Sequence, residues 1–328
     1  MRKFVIILLL ALIGQSEAKN FKLDVGGGYR QDFLEWELAG PNDAPPVLSR
    51  LTWRDLRIFE LTAQLKKITC QNIYFRANGD YGRIFHGENR DADFEVDATN
   101  GNIVEFSRSD NNAGKGYVWD ASAGIGYFFR FDCIEGLRLV PLIGYAINEQ
   151  HLKMFHGFQV FNLRDPQFTE HHFSDLDNSY DTRWRGPWIG SDIYYHFNEK
   201  IIFFTSLEGH WLSYRARGHW NLRDDFDGDF IHTGHGYGLY GTIGLDYNFL
   251  CGWYLGCQFK CNYSRIKNGR DRTPVRTFVD TGVLPLACKE AEDIAVVTQD
   301  QISTITEGKI KNVKWHSYSF LFTAGYHF

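Results

Sequence analysis

The feature that most constrains this chain is an odd–even alternation of apolar and polar side chains that returns in ten separate segments. The clearest runs from Tyr117 to Phe129. One parity carries Tyr117, Trp119, Ala121, Ala123, Ile125, Tyr127 and Phe129, and the other carries Val118, Asp120, Ser122, Gly124, Gly126 and Phe128. Period two is the signature of a strand whose two faces meet different surroundings. Leu137–Asn148, Ile201–Trp211, Leu239–Phe249 and Trp253–Tyr263 repeat the pattern, and the chain ends on it with Tyr318–Phe328. After residue 18 nothing reads as a long amphipathic helix.

The alternation predicts strands near 21–38, 47–66, 72–86, 115–131, 137–155, 180–197, 200–220, 233–249, 253–268 and 311–328. Connections alternate in length. Short turns fall near 67–71, 132–136, 198–199 and 250–252, and long polar loops near 39–46, 87–114, 156–179, 221–232 and 269–310. An even strand count with short turns at one end and long loops at the other predicts an all-β fold, a ten-stranded antiparallel transmembrane β-barrel. Lipid cannot satisfy a free sheet edge, so the first and last strands must pair. The inward parity carries Glu60, Arg76, Asp120, Arg138, Asp192, Glu208, Asp246 and Lys260. Charges of both signs in so narrow a cylinder are expected to pair or to sit with trapped water. Ten strands lie near the size that side chains fill, which argues against a wide diffusion pore.

Composition excludes other classes. The 328 residues carry 35 Lys+Arg against 40 Asp+Glu, a formal charge of −5, which is not that of a basic nucleic-acid binder. With 27 Phe, 17 Tyr and 9 Trp the chain has ample means to fold. Met1–Ala18 has a basic start, an apolar stretch over Phe4–Ile13 and small residues before the expected cut. That stretch is far short of the roughly 20 residues a helical span needs, so 1–18 reads as a signal peptide and 19–328 as the mature barrel. The expected location is the bacterial outer membrane, with lipid as the first partner. Gly26-Gly27-Gly28 is followed by no helix and reads as close strand packing rather than a phosphate loop. His171-His172 and His232 with His235 lack metal-ligand spacing, so no metal or cofactor is expected.

Three stretches carry a family likeness: Val47-Leu-Ser-Arg-Leu-Thr-Trp53, Gly87-Glu-Asn-Arg-Asp91-Ala-Asp93-Phe94, and Arg183-Trp-Arg-Gly-Pro187-Trp188-Ile189-Gly190. With the order of strands between them, the chain resembles the omptin-type barrels, some of which are surface endopeptidases. It also looks like the omptin-like outer-membrane proteins of chlamydia-type bacteria, the Protochlamydia outer membrane proteins. The first resemblance implies that Asp91 and Asp93 hold a water and that His219 polarises it. Arg217 stands where that family pairs the histidine with Asp. A guanidinium repels imidazolium, whereas a carboxylate orients the ring and favours its basic form. Asp224, Asp225, Asp227 and Asp229 in the next loop are possible replacements.

Of the six cysteines, Cys70, Cys133 and Cys251 fall in three short turns, on the oxidising periplasmic side. They are expected either to form disulfides with one another or with envelope proteins, or to be separate thiols. Cys257 and Cys261 share an outward face, and Cys288 lies in the longest loop. The function expected is a non-enzymatic envelope protein presenting long surface loops. An omptin-like endopeptidase and a narrow or gated channel are the alternatives.

Overall fold

The computed structural model describes residues 21–131, 134–284 and 296–327, with only the backbone placed for 278–284 and 296–302. Residues 1–18, Cys133, Cys288 and Phe328 lie outside the described residues. Thirteen strands form one antiparallel sheet: β1 (Phe21–Ala39), β2 (Ser49–Ile68), β3 (Ile73–Val96), β4 (Ile103–Asn112), β5 (Gly116–Tyr127), β6 (Phe129–Arg130), β7 (Leu137–Asn162), β8 (His171–His172), β9 (Asp177–His196), β10 (Ile201–His219), β11 (Phe230–Leu250), β12 (Trp253–Leu284) and β13 (Val296–His327). β4 and β5 occupy one place in the ring, both between β3 and β7, and β6 and β8 are short additions to β7. Ten staves therefore close the cylinder. β1 pairs with β13 from Lys22↔His327 to Ala39↔Lys309, and its other edge pairs with β2. The seam is tight: a β-carbon on Gly28 would lie 2.0 Å from the Phe320 carbonyl oxygen. The glycine run at 26–28 thus serves closure.

The outward parity is a belt of large apolar side chains. Tyr145 is 48%, Ile243 47% and Phe322 63% exposed, so no second sheet or helix covers them. Such a belt matches the lipid-facing band of an outer-membrane barrel. The inward parity is a filled core with two zones. Nearer the periplasm are ion pairs. Arg30 bridges Asp32 at 2.7 Å and also Asp120, Lys260 reaches Asp80 at 2.8 Å, and Arg76 binds Asp192 and Glu208. Nearer the cell exterior is an apolar plug of Leu34, Trp53, Leu56, Trp184, Leu212 and Trp315. The seven inward charges expected to pair besides Arg138 do so, either with these partners or, for Asp246, with Lys22 at 2.6 Å. Arg138 instead donates to the Leu137 carbonyl at 2.8 Å.

Several staves run well past the expected ends. β3 continues to Val96 and pairs with β4, so much of 87–114 is a hairpin rather than a loop. β12 and β13 pair as far as Leu284↔Val296. Residues 302–306 read Ile-Ser-Thr-Ile-Thr, with the two isoleucines on opposite parities, so no period-two pattern marks a strand there. Backbone pairing sustains the extension, because each partner satisfies the other's N–H and C=O groups, and side-chain bonds such as Thr277 with Thr304 at 3.1 Å add to it.

Candidate functional site

The two halves of the site suggested by resemblance lie on opposite sides of the barrel wall. On β3, even-numbered residues such as Tyr74, Arg76 and Ile84 face inward. Opposite Arg54–Arg57 the register slips, with Asp55 at a φ of 50°. At this bulge Phe85 and His86 both face out. A bulge adds one residue and so reverses parity. Beyond it Asn89, Asp91 and Asp93 point into the mouth, beside inward-facing Trp53, Leu51 and Ser49. β10 has no such slip between its pairings with β9 and β11. Leu212, Tyr214 and Ala216 stay buried inside, whereas the Arg217 and His219 side chains are 60% and 57% exposed on the outer wall.

His219 does have an acidic partner: its Nδ1 lies 2.9 Å from Asp229 Oδ1. Arg217 shares that carboxylate at 3.4 Å and also approaches Asp181 at 3.5 Å, which in turn binds His151. Burial pushes the Asp181 carboxyl up, but His151 and Arg217 outweigh it and hold it below the usual carboxylate range. This is an outward chain of alternating charges, directed away from the carboxylate pair.

Asp91 and Asp93 line a cleft of about 360 Å³ with Trp36, Trp220, Arg223 and His232. They sit above the lipid belt, whose last large apolar residue on β3 is Phe85. Asp91 Oδ1 is buried and has no hydrogen-bond partner. Burial, reinforced by the Asp93 charge, holds the Asp91 carboxyl well above the usual carboxylate range. Burial also raises Asp93, against a hydrogen bond from Ser49 and the charge of Arg223. Arg223 is itself held by Asp225 at 2.7 Å and stacks 4.3 Å over Phe226. The pair therefore favours a protonated form and has a built-in guanidinium at its mouth.

The cleft contains one histidine that the residue pattern did not single out for this place. His232 is 2% exposed, with Nε2 3.4 Å from Asp271 Oδ1 and Nδ1 2.7 Å from the Tyr180 hydroxyl. Its ring meets Trp36 edge-on at 5.0 Å. The available signal was parity, since the alternation of β11 extends back through His232 to Phe230. Nδ1 is hydrogen-bonded to Tyr180, and Nε2 faces the Asp271 carboxylate. Among the described residues no three His, Cys, Asp or Glu side chains converge as a metal-ligand set. Cys70 and Cys251 are exposed at the periplasmic turns with their thiols free, and Cys257 and Cys261 face outward on β12.

Residues 24–328 match the family model described as Protochlamydia outer membrane protein. No curated relative matches in sequence. Among solved structures the fold is similar to the outer membrane protease OmpT from Escherichia coli, at a TM-score of 0.70 and 12% identity, covering 96% of this chain and 99% of that one. The translocator domain of autotransporter NalP from Neisseria meningitidis aligns over 100% of this chain and 95% of its own, at 10% identity and a TM-score of 0.36. The Pseudomonas putida toluene transporter TodX aligns over 97% and 93%, at 8% identity and a TM-score of 0.33. At 12% identity the likeness to the first of these bears on the fold alone.

Proposed function

From the premise that this chain belongs to the Protochlamydia outer membrane protein family, we propose that it is a non-enzymatic surface protein of the bacterial outer membrane. Export by the 1–18 segment is part of this reading. The barrel anchors in lipid and presents its long hairpins outside. The observation that carries the proposal is the parity difference between two staves. Asp91 and Asp93 face the lumen, and His219 faces away from it. A water held by the carboxylates is out of reach of a base on the other side of the wall, and general-base catalysis requires hydrogen-bond reach. The apolar plug below the cleft speaks against conductance through the barrel.

Exposed Cys70 and Cys251 on the periplasmic rim support a further part of the reading, attachment to neighbouring envelope proteins through disulfides. The test uses the full barrel refolded in lipid and presented with a library of basic and neutral peptides. No cleavage beyond that of the Asp91→Ala/His219→Ala double variant is expected. Cleavage lost in each single variant would overturn the proposal in favour of the endopeptidase. Non-reducing electrophoresis of native envelopes addresses the disulfides. A species that collapses to monomer with reductant is expected and is absent in Cys70→Ser/Cys251→Ser.

A further inference from the structure

Above the lipid belt, the outer face of β12 and β13 carries a strip of cations that the protein neutralises only in part. Across the two staves Arg265 stands directly opposite Lys314, and Arg270 opposite Lys309. Like charges in facing positions of a sheet repel. Lys267, Arg270 and Lys311 are exposed and take part in no ion pair among the described residues. Arg265 bonds the Asn312 side-chain oxygen at 2.9 Å and no carboxylate. The acids beside the strip are engaged. Glu35 is held by Lys314 at 2.8 Å, Asp43 by Lys309 at 2.7 Å, and Glu307 by Arg272 at 3.9 Å. Glu37 is held by Arg50 at 2.7 Å and Asp227 by Arg276 at 3.3 Å, and Asp271 faces inward to His232. On β11 the neighbours of Arg270 and Arg265 are the uncharged Thr233 and Tyr237. Four cations, Arg265, Lys267, Arg270 and Lys311, are thus left in surplus on a chain whose formal charge is −5.

The strip starts at the edge of the belt. Tyr237 is 51% exposed in the belt, and Arg265 pairs level with it. From there the cations climb to Arg272, roughly 20 Å along the stave. A lipid phosphate reaches only the lower end. Above Tyr263 and His316 no aromatic side chain among the described residues stands between the cations on this face, so nucleic-acid bases would find no stacking platform. We infer that the strip binds a linear sulfated polysaccharide outside the cell, laid along β12 and β13 with its sulfates on Lys267, Arg270 and Lys311. Cations spread along extended backbone suit a polymer of repeated charge rather than one small anion. A glycan with a single carboxylate per disaccharide supplies fewer charges over that length than the strip has. The inference gives the surface-protein reading a partner class and rests on that reading for the outward orientation of the strip.

The test titrates a fluorescent heparin octasaccharide with the barrel refolded in zwitterionic detergent and follows its anisotropy. Saturable binding that weakens as salt is raised is expected. Lys267→Gln/Arg270→Gln/Lys311→Gln should weaken it by about tenfold or more. Arg54→Gln/Arg164→Gln/Arg183→Gln removes as many cations, but these are already held by Glu88, Glu95 and Glu149, and the change should stay under about twofold. A hyaluronate octasaccharide and an oligothymidylate should each compete about tenfold more weakly than unlabelled heparin octasaccharide. Anionic phospholipid added to the micelles should leave binding in place. Heat-modifiable migration on gels reports folding of each variant. Lack of saturable binding by the wild-type barrel, or equal competition by hyaluronate or oligothymidylate, overturns the inference without reference to any variant. Undiminished binding by the folded strip variant, or equal loss in the two triple variants, overturns it as well. Displacement by the anionic phospholipid assigns the strip to lipid phosphates and overturns it too. No peptide is present, so each of these failures leaves the non-enzymatic reading standing.

Discussion

The His219 imidazole and the Asp91 carboxylate are separated by the barrel wall: the first bonds Asp229 at 2.9 Å on the outside, and the second is buried in the mouth with an unpartnered Oδ1. The separation comes from a pair of facing bulges. β2 gains a residue at Asp55 and β3 gains one at Phe85–His86, so both strands reverse parity together while β10 runs on without a matching reversal. A short motif carries residue types and spacing, but not the count of residues between the membrane belt and the motif.

Asp91 should make stability depend on pH in a defined sense. Burial raises its carboxyl in the folded barrel, so the group favours folding most below the unfolded value near 3.9. That contribution is lost as pH rises through the folded value. Asp91→Asn is therefore expected to raise the thermal midpoint of the heat-modifiable form at neutral pH. The gain should shrink as the pH is lowered toward 4. A gain that grows on acidification contradicts the assignment.

Arg76 holds Asp192 and Glu208 inside the barrel, with the guanidinium 5.0 Å from the centre of the Trp188 ring. Arg76→Met leaves two buried carboxylates without their cation and should cost about 3–5 kcal/mol. Adding Asp192→Asn and Glu208→Gln should recover much of the loss. Urea titration of the refolded barrel measures both.

Trp188 fits because β7 leaves room for it. A β-carbon on Gly144 would lie 2.3 Å from Trp188 Cζ2. Gly144→Val should overpack this contact and cost about 1–3 kcal/mol, with Trp188→Leu relieving part of it. Tryptophan fluorescence during unfolding reports the result.

The lipid-facing assignment predicts position-dependent penalties. Ile243 is 47% exposed and lies at mid-height on β11. Ile243→Arg should cost about 2–4 kcal/mol in a bilayer. His219→Ala, which removes an exposed pair, should cost under about 1 kcal/mol. Equal penalties for the two would contradict the placement of the membrane.

The alternation alone determined the ten-stave cylinder, its closure, and the lipid-facing identity of Tyr145, Ile243 and Phe322, because a surface against hydrocarbon imposes a period-two constraint along every strand. It also marked which charges, from Glu60 to Lys260, would have to pair inside. What it left undetermined is local and three-dimensional. The bulge at Phe85–His86, facing that at Asp55, depends on a single added residue, and one residue changes the side of the wall on which Asp91 and Asp93 lie. The enclosure of His232 by Tyr180 and Asp271 joins staves 52 and 39 residues apart in sequence. Such relations arise across the lumen, between side chains that no sequence period connects, and only closure of the barrel brings them together.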